Sequence, residues 1–313
     1  MMEALLKTLL QFILLLGIAP LVSGFIKTMK ARLQTRRGPG VLQPYRDLYK
    51  LLRKGVVIPE TASWLFVVTP YVVFMTTVLA GLMIPMASAE APLGLFGGVL
   101  AVIYLLGLGR FFLALGGLDT GSSFGGLGSS REMTISALAE PAMMLAVFTV
   151  AIGANSTSLS EIARVAVGQE WRFLAPSQML AAAAMCMVLI AETGRIPVDN
   201  PATHLELTMI HEAMILEYSG PDLALIEWGA SIKQLLLMTL LINSFWPFGL
   251  QAGWSLAGVA TSLGYLLLKL VLLSCAVVVL ETTNAKMRLF RVPELLAVAF
   301  VLGALALIST FLF

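Results

Sequence analysis

Residues 192–222 read ETGRIPVDNPATHLELTMIHEAMILEYSGPD, and they hold Glu192, Arg195, Asp199, His204, Glu206, His211, Glu212, Glu217 and Asp222 between two strongly apolar segments. Both histidines of the chain fall here. Pro197 and Pro201 forbid a continuous helix through the first third, because proline lacks the backbone donor and clashes with the preceding turn. From Ala202 to Leu216 no breaker occurs, so a helix is expected there. On it Glu206, Ile210, Ala213 and Glu217 follow the i, i+4, i+7, i+11 rule and share one face. The two carboxylates would stand about 16 Å apart at about 1.5 Å per residue. Carboxylates on one stripe, flanked by membrane-crossing segments, suit a proton-accepting path. Ordinary surface acids on a solvated helix are the alternative.

The flanks of this stretch decide the fold. The chain has 313 residues, 58% of them hydrophobic and 12% charged, with a mean hydropathy of +0.91. Soluble domains carry about 25% charge. Eight apolar segments are each long enough to cross a hydrocarbon layer as helices, near 3–26, 65–86, 96–116, 134–153, 175–192, 225–247, 255–281 and 292–312. Lipid offers backbone groups no water, so helices are the expected solution. The expectation is one all-α, polytopic membrane bundle over residues 1–313, with no soluble domain. The first segment lacks a small-residue cleavage site before the basic loop and reads as a retained helix.

Net charge is +2, but its placement is one-sided. The loop 27–63 carries Lys27, Lys30, Arg32, Arg36, Arg37, Arg46, Lys50, Arg53 and Lys54. Arg131, Arg195, Lys286, Arg288 and Arg291 fall on the same side, against Arg164, Arg172 and Lys7 opposite. The positive-inside rule puts the basic loops in the cytoplasm and both termini outside. Topology thus accounts for the basic loop without a nucleic acid. Cys186 and Cys275 are isolated within apolar segments and lack a Cys-x-x-Cys pattern, so no iron–sulfur cluster is expected on this chain.

Within the first loop, Gly38-Pro39-Gly40 marks a turn. Tyr45, Leu48, Leu51 and Leu52 then form an apolar stripe edged by Arg46, Lys50, Arg53 and Lys54, the pattern of an amphipathic helix at headgroup level. After the third span, GGLDTGSSFGGLGSSREM (116–133) lacks the Gly-Lys-Ser/Thr of a phosphate loop. Ser129 and Glu132 have capping-box spacing, which would start the fourth span there. The glycines suit close packing against a partner subunit, with a flexible loop as the alternative. Ionisable residues also lie inside the spans: Arg110, Glu140, Lys233, Lys269 and Glu281. Each would cost about 2.5–3.5 kcal/mol facing lipid, so they should face the bundle or water. Arg110 and Glu281 read as paired ions that fix packing; Glu140, Lys233 and Lys269 read as a polar axis continuing from the loop. His211-Glu212 is not a zinc motif, since Ile215 stands where the second histidine would be.

Glu192-Thr193, Arg195, Pro197, Asp199, Glu206-Leu207 and Glu217-Tyr218 resemble the loop signature of the complex I subunit 1 family, the H-type core membrane subunit. Arg36-Arg37-Gly38-Pro39, Gln43-Pro44, Asp47 and Lys50-Leu51 resemble its first-loop signature, and Gly121-Ser122-Ser123 with Arg131-Glu132 fall at its small-residue stretch. The run from Arg195 to Gly220 is more similar to the hydrogenase branch, the membrane anchors of formate hydrogenlyase-type complexes. Ala202 and His204 stand where complex I members usually place further acids, which also favours that branch. The resemblance implies an inner-membrane subunit docking a nickel–iron hydrogenase to antiporter-like membrane subunits. Its partners would be the hydrogenase large and small subunits, iron–sulfur subunits and formate dehydrogenase. The nickel–iron centre, the iron–sulfur clusters and most enzymatic chemistry would belong to them. Ion-path candidates are Glu140, Glu192, Asp199, Glu206, Glu212, Glu217, Lys233 and Lys269; docking candidates are Arg36, Arg37, Asp47, Lys50, Arg131 and Arg195. The alternatives are a quinone-site subunit of complex I and a stand-alone secondary transporter. The latter predicts inverted repeats, which the two halves of the sequence lack.

Overall fold

The computed structural model describes residues 2–168, 175–199, 209–251 and 255–312. In chain order the helices are α1 (Met2–Leu33), α2 (Gln43–Leu52), α3 (Trp64–Met83), α4 (Val99–Asp119), α5 (Ser123–Gly153) and α6 (Leu159–Gly168). They continue with α7 (Pro176–Glu192), α8 (His211–Ile215), α9 (Gly220–Phe245), α10 (Leu256–Thr283) and α11 (Val292–Leu312). No strand occurs among the described residues. Among the described residues seven helices are long and apolar enough to cross a membrane, and α7 is a shorter apolar helix of 17 residues. The all-α polytopic bundle expected from the apolar segments is what forms.

The connections gather at two opposite ends. At one, Ser219 Oγ accepts from Val57 N at 2.8 Å, Asp119 accepts from Ser63 N at 2.6 Å, and Met287 N donates to Pro197 O at 2.9 Å. These bonds tie together the segments after α1, α4, α7 and α10. At the other end Lys7 pairs with Glu90, Arg164 reaches the same carboxylate, and Ala89 N donates to Gln251 O. Helix α9 is the axis of the bundle: every residue from Gln234 to Phe245 is buried. It packs on α3, α1 and α2, while α11 lies across α5 and α7. Helices α10 and α11 leave the most surface uncovered.

Two expectations are corrected. The glycine stretch before the fourth span is largely helical rather than a loop. α5 starts at Ser123, with Ser122 as its cap accepting from Gly125 N at 3.1 Å, so Ser129 caps nothing. Ser129 instead donates to Ala114 O at 2.8 Å across the α4–α5 contact. The glycines are there for that contact: a Cβ on Gly125 would lie 2.1 Å from Gly117 O. Lipid gives helices no solvent-driven reason to associate, so close backbone approach through small residues supplies the packing.

The helix expected over 202–216 is also shorter. Among the described residues it runs only over α8, and Ile210 before it has φ −117° and ψ −80°. Asp199 Oδ2 accepts from Ile210 N at 3.2 Å, which holds that residue out of the helix. Beyond α8 the chain turns so that Tyr218 can stack on Phe66, with ring centroids 4.0 Å apart. Glu217 therefore sits exposed in a turn and does not share a helical face with Ala213. Asn200 to Thr208, with His204 and Glu206, lie outside the described residues.

Candidate functional site: a chain of buried charges

Arg110 is placed by the buried face of α4, between Leu106 and Leu113. Its side chain is only 4% exposed, and water is replaced around it by carboxylates. Nη1 donates to Glu140 Oε1 of α5 at 2.7 Å, Nη2 donates to Glu192 Oε2 at the end of α7, and Nε lies 3.5 Å from Glu132 Oε1. Lys233 Nζ of α9 reaches Glu192 Oε2 from the other side at 2.8 Å. Four helices thus meet on one ionic cluster with three carboxylates and two cations.

A second cluster begins one residue further along α9. Gln234 Oε1 accepts from Arg195 Nη2 at 2.8 Å and from Ser23 Oγ of α1 at 3.1 Å. Arg195 Nη1 donates to Glu281 Oε1 at 2.8 Å, and Lys30 Nζ lies 2.7 Å from Glu281 Oε2. Here two cations face one carboxylate, itself 3% exposed. The surplus negative charge of the first cluster adjoins the surplus positive charge of the second, through neighbouring residues 233 and 234. Towards the loop, Lys286 Nζ lies 2.7 Å from Asp199 Oδ1, and Arg131 Nη1 donates to Met209 O at 2.9 Å. Half-buried Glu212 lies nearby, and burial raises its carboxyl above the ordinary value, against the pull of His211.

Glu140, Glu192 and Lys233 therefore come together, and Arg195 and Asp199 continue the line. Arg110 and Glu281 are paired ions, as expected, and each is a hub that meets more than one opposite charge. Arg131 donates to Met209 O and Arg195 to Glu281 and Gln234, so both guanidinium groups have partners within the chain. Arg36, Arg37, Asp47 and Lys50 are exposed on the loop and on α2, where Asp47 accepts from Gln43 Nε2 at 2.8 Å. Lys269 stands apart from both clusters and donates to Trp246 O at 2.6 Å. Glu132, Lys30 and Gln234 had no signal of their own: Glu132 reads as a cap residue, Lys30 as loop charge, and Gln234 as an uncharged helix position.

Residues 6–312 match the family model described as NADH dehydrogenase. The chain is 36% identical to hydrogenase-4 component C of Escherichia coli (strain K12), covering 95% of this chain and 93% of that protein. It is 33% identical to formate hydrogenlyase subunit 4 of the same organism, over 96% and 97% of the two chains. The H-type subunit of the NADH-quinone oxidoreductase of Rhodospirillum rubrum is 29% identical over 68% of this chain and 65% of its own. The fold superposes with a TM-score of 0.85 and 21% identity on a chain of the membrane-bound sulfane sulfur reductase, an archaeal respiratory membrane complex, covering 98% and 99% of the two chains.

Proposed function

The chain belongs to the NADH dehydrogenase family, among the complex I subunit 1 or H-type membrane subunits, and on that premise we propose that it is the anchor and ion-coupling subunit of a membrane-bound nickel–iron hydrogenase of the formate hydrogenlyase type. The observation that carries the reading is the near full-length similarity to hydrogenase-4 component C. The chain sits in the bacterial cytoplasmic membrane with its basic loops inside and both termini outside. Exposed Arg36 and Arg37, with Asp47 and Lys50 of α2, dock the soluble module through charge-assisted hydrogen bonds. Nickel–iron and iron–sulfur centres belong to that module; Cys186 and Cys275 of this chain are lone thiols on α7 and α10.

The charge network supports a coupling role. The first cluster holds one carboxylate more than its cations, and Glu140, 32% exposed, is its most accessible carboxylate. A shift of the 193–219 segment that moves Arg195 or Asp199 changes the field at Gln234 and Lys233, and through Lys233 at Glu192. Movement of Arg195 or Asp199 is thereby felt at the buried carboxylates of the first cluster, which is the coupling step of this reading.

The test is purification of the tagged native complex, with metal analysis, beside paired assays in vesicles. A nickel–iron protein should co-purify. Glu140→Gln should keep dye-linked hydrogenase activity while lowering formate-dependent hydrogen evolution and abolishing linked ion uptake. Co-purification of a quinone-reducing module without nickel would favour the second reading, a complex I-type subunit, which the similarity to the H-type subunit of NADH-quinone oxidoreductase supports. Wild-type ion uptake in Glu140→Gln vesicles would remove the coupling role from that carboxylate.

A further inference from the structure

The connection between α10 and α11 covers only residues 284–291, and both helices are long and apolar enough to cross a membrane. A link this short between two spans stays in the headgroup layer. Two contacts also hold it against the bundle: Lys286 Nζ lies 2.7 Å from Asp199 Oδ1, and Met287 N donates to Pro197 O at 2.9 Å. Arg288, Phe290 and Arg291 are all exposed on it, Phe290 by 88%. Leu289–Arg291 forms a single 3₁₀ turn, closed by Arg291 N donating to Arg288 O at 2.9 Å. The two arginines are three residues apart, the spacing at which side chains of such a turn eclipse. Neither guanidinium has a hydrogen bond or an ion pair among the described residues. Glu294 is the one acid in the sequence from Asn284 to Phe300. It is exposed in the first turn of α11, where the positive end of the helix dipole suits it, and pairs with no described cation.

Below this connection the two helices part, α10 packing on α1 and α9, and α11 on α5 and α7. Val279 of α10 and Val298 of α11, within two turns of the connection, are 51% and 50% exposed. Two free cations at headgroup level therefore stand over apolar walls that run into the hydrocarbon. A soluble acidic partner would meet the cations and leave the walls bare; an apolar transmembrane helix would cover the walls and leave the cations unpaired. A lipid of net negative charge satisfies both. We propose that Arg288 and Arg291 bind the phosphate of an anionic phospholipid, with its chains against α10 and α11 and Phe290 beside its glycerol region. The planar guanidinium suits phosphate oxygens, and a negatively charged leaflet concentrates such lipids around exposed basic residues. This inference does not rest on the hydrogenase reading.

The test places a photoreactive group between the two arginines. Phe290→p-benzoylphenylalanine is photolysed in the intact complex in native membranes, and the expected adduct is phospholipid. The tagged complex is then set in nanodiscs of equal phosphatidylglycerol and phosphatidylcholine, and adducts of each are measured by mass spectrometry. Val301→p-benzoylphenylalanine, further along α11 and 53% exposed, reports the unselected mixture. The ratio of phosphatidylglycerol to phosphatidylcholine at position 290 should exceed that at 301 by about tenfold. Arg288→Gln/Arg291→Gln should bring it down to the ratio at 301. Arg53→Gln/Lys54→Gln, an equal loss of exposed charge at the same end, should leave it unchanged. Adducts to a protein in place of lipid at Phe290, or equal ratios at the two positions, would overturn the site. Enrichment that persists in Arg288→Gln/Arg291→Gln would take the arginines out of it.

Discussion

Glu192 is the carboxylate on which the bundle's electrostatics turn, and Glu192→Gln has a calculable consequence. Its side chain is 3% exposed and bridges Arg110 and Lys233. In the glutamine variant Arg110 keeps Glu140 and Glu132, but Lys233 loses the carboxylate it faces. Removing one partner of a buried pair costs about 3–5 kcal/mol, because the other charge stays desolvated. Glutamine retains an acceptor, so the lower end, about 3 kcal/mol, is expected, or about two powers of ten in the folded-to-unfolded ratio. Lys233→Met alone leaves Glu192 on Arg110 and should cost about 1–2 kcal/mol. In the double variant the stranded ammonium is gone, so its cost should fall short of the sum by about 1–3 kcal/mol. The assay is equilibrium unfolding of the purified protein in mixed detergent micelles with increasing dodecyl sulfate, followed by tryptophan fluorescence. Glu140→Gln, at a third-exposed group sharing Arg110 with two other acids, should cost about 1 kcal/mol. Strict additivity in the double variant, or equal losses from Glu140→Gln and Glu192→Gln, would refute the reasoning from burial and pairing.

Sidedness is checked by Thr35→Cys and Thr157→Cys, which should be labelled by an impermeant maleimide from opposite faces, the first from the cytoplasm; labelling from one face would break the eight-crossing topology. Gly125→Ala should lower the thermal midpoint by the equivalent of about 1–3 kcal/mol, since its Cβ meets Gly117 O at 2.1 Å. Gly126→Ala, whose nearest neighbour is 4.0 Å away, should be neutral, and equal effects at both positions would contradict the packing. Two carboxyls should give pH dependences of opposite sign, read by hydrogen exchange. Glu90 is held below its ordinary value by the Lys7 hydrogen bond, so the stability it lends its end of the bundle is present above that value and is lost on acidification. Glu212 is raised by burial, so its contribution is present below the ordinary carboxylate range and fades as pH rises towards the raised value; Glu212→Gln should abolish that fading.

The membrane-crossing helices were legible in the sequence because hydropathy is a local property: about twenty apolar residues announce a span wherever the chain later places it. The charge network was legible only as a set of misfit residues. Its hydrogen bonds join positions from 30 to 211 residues apart, as in Arg110–Glu140 and Ser23–Gln234, and nothing local in the sequence names such partners. Glu132 shows the difficulty most clearly. Three residues after Ser129 it satisfies a capping rule, yet the helix begins at Ser123, and Glu132 turns inward to Arg110. Local signals at helix ends are reliable only when tertiary packing leaves the end where the signal lies; here the Gly117–Gly125 approach drew the helix back to Ser123. The helix expected over 202–216 failed for a similar reason: the side chain of Asp199 takes the Ile210 amide that a longer helix would need. Both departures fall beside the ionic clusters. A membrane interior punishes unpaired charge more than it rewards an ideal helix end, so the chain gives up local propensity to complete its charge pairs.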